Sequence, residues 1–305
     1  EISHCGSRYE KQRIMKSISV IIPVRNRPDM LQRAVRSVLA QTCKDYILIV
    51  VDDGSDADMR EARQLVEESG NYWIQQNNRG VSAARNVGIQ HTPSKWYAFL
   101  DSDDEWLPEK LAAHVEFHET SNQYLFSQSL ETWFRRGVRV NQKKIHAMPE
   151  GDAFIPSLKR CCISPSSVFM HHTLFERFGL FDEQLPVCED YDLWLRITAF
   201  NQIGLVRRAL VLKYGGHSDQ LSRSRKALDR YRVLALLKLL SGPDFQFKLR
   251  QEAIREVSEK LEILRLGAGK HMPRDVALYE EVLEKIRGGD FQEAQRCMQS
   301  LTNLS

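Results

Sequence analysis

Three apolar runs near the start of the chain constrain its fold more than any other feature. Each is the length of a strand, and the last two open onto acidic clusters. They are Ile18–Val24 (ISVIIPV), Tyr46–Val51 (YILIVV) and Trp96–Leu100 (WYAFL). The first two are rich in β-branched residues with almost no polar alternation, the pattern of strands buried on both faces of a parallel sheet. Pro23 is expected to end the first of them.

Between these runs the spacing turns helical. Met30–Gln41 carries Leu31, Val35, Val38 and Leu39 on one face, with Asp29 placed to cap its start. Ala57–Ser69 and the small-residue stretch Val81–Gln90 read as helices, and Tyr72–Gln75 as a short strand. This alternation predicts an α/β protein with a mostly parallel, doubly wound sheet and helices on both faces. Ligands of such sheets sit beyond the carboxyl ends of the strands. Asp52-Asp53-Gly54-Ser55 and Asp101-Ser102-Asp103-Asp104 both fall at such ends.

Further on, Pro108–Glu119 reads as a helix and Tyr124–Val140 as a hairpin turning at Gly137. Ser166–Met170 is an expected strand, and Thr173–Phe178 a short helix closed by Gly179. Asp190–Phe200 is an expected helix, followed by strands at Ile203–Val206 and Ala209–Leu212. The pattern changes after Ser222. Lys226–Leu240, Gln251–Leu266, Asp275–Arg287 and Phe291–Leu301 are amphipathic at helical spacing, separated by Gly and Pro. The expected organisation is an extension over 1–16, an α/β domain over 17–222, and a C-terminal α-helical appendage over 223–305.

With 43 basic and 40 acidic residues the net charge is only +3, which gives no electrostatic case for nucleic acid. No apolar run approaches the roughly 18 residues that span a bilayer. Glu1–Lys16 is polar and charged, without the apolar core of a secretory signal. These features predict a soluble, cytoplasmic protein, at most peripheral at a membrane. The six cysteines form no CxxC pair and read as free thiols.

Four clusters could carry chemistry. Asp101 and Asp103 can face one hard divalent ion, Mg²⁺ or Mn²⁺, together with a diphosphate; the competing reading is an ordinary Asp-rich turn. Asp52-Asp53-Gly54-Ser55 can reach a nucleotide base or ribose, or be a turn with a capping Ser. Glu189-Asp190 can be acids at a helix start, or a general base that takes a proton from an attacking hydroxyl. Asn77–Gly88 (NNRGVSAARNVG) lets a ligand approach the backbone, and Arg85 could lie over a phosphate. It matches neither GxGxxG nor GxxxxGK[ST], which argues against a dinucleotide dehydrogenase and a P-loop NTPase. His217, in Tyr214-Gly215-Gly216-His217, could complete a metal site or simply be exposed.

Taken in order, these segments resemble family 2 glycosyltransferases of the GT-A fold. The matching stretches are SVIIPVRNR at Ser19–Arg27, VVDDGSDAD at Val50–Asp58, NNRGVSAARNVG at Asn77–Gly88 and FLDSDDEWLPEKL at Phe99–Leu111. FGLFDE at Phe178–Glu183, CEDYDLWLR at Cys188–Arg196 and YGGHSDQLS at Tyr214–Ser222 follow. The resemblance covers about residues 17–222. It implies an inverting enzyme that moves a sugar from a nucleotide-diphosphate donor, a UDP-sugar, to an acceptor hydroxyl in one displacement.

The same resemblance implies the site. Pro23, Arg25, Asp53, Arg85, Asp101 and Ser102 bind the donor. Asp103 and His217 hold the metal. Asp190 is the catalytic base, with Glu189 as its close alternative, and Trp194 and Arg196 lie on the acceptor side. Arg25 stands where the family often has Tyr, and Arg79 is an added charge beside the expected Asn and Gly. The chain has no Gln-x-x-Arg-Trp motif and no membrane helices, features of processive synthases, which implies single addition to a glycan or lipid-linked acceptor. The alternative is a sugar-nucleotide-binding protein of the same fold that has lost catalysis. In the tail, Arg223, Arg225, Lys226, Arg230, Arg232 and Lys238 surround a Leu-rich segment over 223–240. Either this face touches an anionic membrane, or the leucines pack inward.

Overall fold

The computed structural model describes residues 16–216, 228–242 and 245–303. Its first half builds as expected. Strands β1 (Ile18–Val24), β2 (Tyr46–Asp53), β3 (Tyr72–Gln76) and β4 (Trp96–Phe99) pair in parallel in the order β3-β2-β1-β4. Helices α1 (Pro28–Leu39), α2 (Arg60–Glu68) and α3 (Val81–His91) connect them. The alternation of β1 sorts its side chains into two cores. Ile18, Val20 and Ile22 pack with Leu31, Val35 and Val38 on one face, while Ile21 packs with Ala84 and Phe99 on the other. A Cβ on Gly88 would lie 2.6 Å from Ile21 Cγ2, so the small residues of α3 allow that helix to lie close on the sheet.

Two local expectations are corrected. Pro23 does not end β1; the strand continues to Val24, with Pro23 opposite Val51. Pairing with β4 stops at Ile21 opposite Phe99, so the N–H that Pro lacks has no ladder partner to lose. Asp29 does not cap α1 either. Arg27 occupies the capping position without a side-chain bond, Pro28 opens the helix, and Asp29 sits in its first turn.

The second half of the sheet is mixed. It contains β5 (Glu105–Trp106), β6 (Phe126–Arg135), β7 (Val138–Val140), β8 (Val168–His171) and β9 (Gly204–Gly215), and the order continues β4-β8-β6-β9-β5. β8 runs antiparallel to both β4 and β6, and β9 parallel to β6. The hairpin turns at Gly137, where φ is +76°. The two strands expected over 203–212 are one, β9, whose register against β6 shifts near Leu130. Helices α4 (Lys110–Thr120), α5 (Phe154–Lys159), α6 (Thr173–Phe178) and α7 (Glu189–Thr198) complete this half.

The tail forms α8 (Asp229–Ser241), α9 (Phe247–His271), α10 (Val276–Arg287) and α11 (Phe291–Asn303). It shares a core with α5 and α7. Tyr191 and Leu195 of α7 and Leu158 of α5 cluster with Leu236, Leu237, Val257 and Leu261. The leucines of α8 therefore pack inward. Arg230 pairs with Asp275 at 2.6 Å, Arg232 with Asp229 at 3.0 Å, and Lys238 with Asp192 at 2.9 Å. The other basic residues named for this face, Arg223, Arg225 and Lys226, lie outside the described residues. Among the described residues no helix is long and apolar enough to cross a membrane.

Candidate active site

A cavity of about 500 Å³ opens where the carboxyl ends of β1 and β4 meet the start of α7 and the first turn of α8. Pro23, Arg85, Asp101, Ser102, Asp103, Glu189 and Asp190 all line it. The fold thus brings seven of the expected site residues into one space, from segments up to 167 positions apart.

The acidic turn after β4 divides its carboxylates between two tasks. Asp104 is buried and structural. It accepts hydrogen bonds from Ser166 Oγ (2.7 Å) and the Tyr214 backbone N–H (3.0 Å), and Lys213 Nζ lies 3.3 Å away. Burial, with Asp101 and Asp103 beside it, pushes its carboxyl up to about 7 against the pull of Lys213. The Asp101 N–H donates to Ser166 Oγ at 3.1 Å, so one serine fixes both ends of the turn. Asp101 and Asp103 are left facing the cavity, with side chains 26% and 14% exposed. Asp103 pairs with Arg27 at 3.3 Å, and its carbonyl accepts from Arg33 at 2.7 Å.

Arg85 is buried and joins the two acidic groups. Nη2 donates to Asp101 at 2.8 Å and Nη1 to Glu189 at 2.6 Å. Both terminal nitrogens are thus held by carboxylates rather than turned toward a phosphate. Burial alone would raise the Asp101 carboxyl, but Arg85, with Lys213 and Arg27, holds it below its ordinary value. Glu189 is 4% exposed. Burial and the neighbouring Asp190 push it up to about 7, opposed by Arg85.

Asp190 is half-buried and faces the cavity. Oδ1 accepts its neighbour's N–H, from Tyr191 at 2.7 Å, and Oδ2 accepts from the Cys161 thiol at 3.4 Å. The residue before the pair, Cys188, is left-handed at φ +63°, a conformation that non-glycine residues hold only where surrounding structure imposes it. That turn starts α7 at Glu189, so the pair receives the positive end of the helix dipole.

Other expected site residues lie elsewhere. Asp53 is buried and does not line the cavity. It accepts from Gln76 Nε2 (2.7 Å) and from the backbone N–H groups of Arg79 and Gly80 (2.8 Å each), which shapes the 76–80 loop. Arg25 is exposed and does not line the cavity. Trp194 is corrected: it is 1% exposed and stacks on Phe126 at 5.3 Å, inside the core. Arg196 is corrected too, being bound to Asp192 at 2.7 Å and to the carbonyls of Phe178 and Leu180. Neither lines the cavity. His217 lies outside the described residues.

Sequence reading missed the wall opposite in the chain. Trp133 and His146 line the cavity with their rings 5.0 Å apart, and Arg160, Cys161 and Arg232 line it as well. The one available signal was an aromatic at the half-buried end of β6.

The donor set fits a hard divalent cation that shares its shell with a ligand. Asp101 and Asp103 offer carboxylate oxygens on one wall. Among the described residues no group of three or more His, Cys, Asp or Glu could hold a metal alone. Such an ion needs the oxygens of a bound diphosphate or water.

The chain is similar to several known proteins. A glycosyltransferase from Rickettsia conorii, itself uncharacterised, is 33% identical over 194 residues, or 63% of this chain and 32% of that protein. The match thus spans about a third of that relative's length. The Escherichia coli enzyme WfaP, a UDP-Glc:α-D-GlcNAc-diphosphoundecaprenol β-1,3-glucosyltransferase, is 30% identical over 60% of this chain and 70% of its own. The crystal structure of Staphylococcus aureus TarS 1–349 superposes with a TM-score of 0.66 at 14% identity, covering 95% of this chain and 92% of that one. A second fold match is the Pyrobaculum calidifontis mannosyltransferase PcManGT with GDP-Man and Mn²⁺, at TM-score 0.58 and 14% identity over 96% and 88% of the two chains. These likenesses establish the fold as that of GT-A glycosyltransferases. The Glycosyl transferase family 2 model matches residues 19–179, more than half of the sequence, and the chain belongs to that family.

Proposed function

We propose that the chain transfers a sugar from a UDP-sugar to an acceptor hydroxyl, with inversion, and that Asp190 is the general base. One observation carries this reading. Asp190 and the Asp101/Asp103 pair line the same cavity, tied to each other through Glu189 and Arg85. The donor type is supported by WfaP, named for UDP-Glc, and by TarS, crystallised with UDP-GlcNAc. WfaP also acts on a diphosphate-linked lipid acceptor, the class proposed here.

In this reaction Asp190 takes the proton of the acceptor hydroxyl as its oxygen bonds to the anomeric carbon. The bond from that carbon to the donor diphosphate breaks, and the electron pair leaves with UDP. Glu189 is the weaker candidate for the base, because it is buried and already bound to Arg85. Glu189 and Arg85 instead hold Asp190 and Asp101 in register. A divalent cation, Mn²⁺ or Mg²⁺, would be held by Asp101 and Asp103, and when bound it supplies positive charge toward the leaving diphosphate.

The test is UDP release from a panel of UDP-sugars with Mn²⁺, with UDP binding followed by calorimetry. Asp190→Asn is expected to keep UDP affinity and lose turnover about 10²–10⁴-fold, the range for a removed general base. Asp103→Asn is expected to lose metal-dependent UDP binding. UDP release by Asp190→Asn at the wild-type rate would overturn the assignment of the base. UDP binding without release would mean that the acceptor is the missing ingredient, and no release with an acceptor supplied as well would favour a binding protein over an enzyme.

A further inference from the structure

We infer that Arg160 and Arg232 form a subsite for a phosphate or diphosphate carried by the acceptor, which makes the helical tail part of the acceptor side. The inference rests on the transfer reading of the same cavity.

Among the described residues, five cationic side chains line that cavity: Arg27, Arg85, Arg160, Lys213 and Arg232. Three are bound to the acidic turn, Arg27 to Asp103, Arg85 to Asp101 and Lys213 to Asp104. The other two are not. Arg160 is half-buried in the loop after α5 and has no acidic partner among the described residues. Arg232, in the first turn of α8, donates from Nη1 to Asp229 at 3.0 Å, while its Nε is buried with no hydrogen-bond partner among the described residues. A buried guanidinium N–H without an acceptor is costly unless a ligand supplies one. The planar fork of Arg suits phosphate oxygens.

The location assigns this group to the acceptor rather than the donor. Arg160 precedes Cys161, whose thiol touches the Asp190 carboxylate at 3.4 Å. The Cys188 thiol, next to Glu189-Asp190, lies 3.9 Å from the Leu228 carbonyl, so the start of α8 sits beside the base. Both arginines are therefore anchored on the Asp190 side, while the donor diphosphate belongs with Asp101 and Asp103. Trp133 and His146 line the same cavity and offer ring faces to an acceptor sugar.

The experiment compares two probes on the protein loaded with UDP and Mn²⁺: the phenoxyalkyl diphosphate of N-acetylglucosamine and the matching uncharged phenoxyalkyl glycoside. Calorimetry is expected to show the diphosphate binding at least about tenfold more tightly, as charge-assisted bonds allow. In Arg232→Gln and Arg160→Gln that preference is expected to shrink severalfold, and in the double variant to vanish. An unchanged preference in the double variant overturns the subsite, as does a wild type that binds UDP but not the diphosphate probe. Inorganic pyrophosphate binding as tightly as the sugar diphosphate would mark a free-anion site and also overturn it. A wild type that binds no UDP sinks the transfer reading itself, a separate failure.

Discussion

Arg85 donates to Glu189 at 2.6 Å and, through its other terminal nitrogen, to Asp101 at 2.8 Å, so one buried guanidinium spans the candidate base pair and the acidic turn. Removing one partner of a buried ion pair costs about 3–5 kcal/mol, because the other charge stays buried and uncompensated. Arg85→Met should therefore lower the unfolding free energy by about that much in urea titration. The double variant Arg85→Met/Glu189→Met should recover the Glu189 share of the loss, since an apolar pair replaces that ion pair and Asp101 keeps Lys213 and Arg27 nearby, yet leave turnover low. A double variant as unstable as the single one would show that lost packing, not the stranded charge, is responsible.

Asp104 gives the molecule a pH dependence of known sign. Its carboxyl rises from an ordinary 3.8 to about 7, through burial and the neighbouring Asp101 and Asp103, with Lys213 opposing. A folded-state value above the unfolded one means that the group binds protons on folding. Its contribution is fully present below the unfolded value and is lost as pH rises through about 7. Between pH 5 and pH 8, then, the urea midpoint of the wild type should fall more than that of Asp104→Asn. Equal slopes in the two proteins would mean that Asp104 ionises normally in the fold.

The parallel half of the sheet was legible because strands buried on both faces appear as unbroken apolar runs, as β1 and β2 do. The position of the acidic turn was legible too, but not its division of labour. Asp104 is set apart from Asp101 and Asp103 by Ser166 and by the backbone of Tyr214, contacts that local spacing does not carry. Trp194 was misread because α7 is buried around nearly its whole circumference, so helical spacing could not say which face meets a ligand. The packing of α8 was readable in its leucines, whereas the salt bridges of Arg230 and Lys238 depend on acids from distant segments.

Trp133 and Trp194 should separate binding from folding. Trp194 is a core residue between Phe126 and Phe181, and its truncation to Ala should cost about 3–5 kcal/mol of stability. Trp133 is half-buried on the cavity wall, with Nε1 donating to Glu131 at 2.7 Å. Trp133→Ala should raise the acceptor KM about tenfold, the loss of one stacking face, with a thermal midpoint close to wild type. The reverse pattern, an unstable Trp133→Ala with unchanged KM, would return the acceptor side to another wall.

Asp53 should affect donor binding through the loop it holds. Its carboxylate accepts the N–H groups of Arg79 and Gly80, and its neighbour Gly54 has φ +72°. A Cβ on Gly54 would sit 2.7 Å from the Asn78 backbone nitrogen, a contact that only backbone movement relieves. Asp53→Ala strips the 79–80 amides of their acceptor, at about 1–3 kcal/mol if no water replaces it. Gly54→Ala displaces the same loop by a different route, without touching the carboxylate. If Asp53 acts by shaping the 76–80 loop, both variants should weaken UDP binding to a similar degree in calorimetry. If Asp53 contacts the nucleotide directly, Asp53→Ala should weaken UDP far more than Gly54→Ala, and only the former should change the preference for UDP over other nucleoside diphosphates.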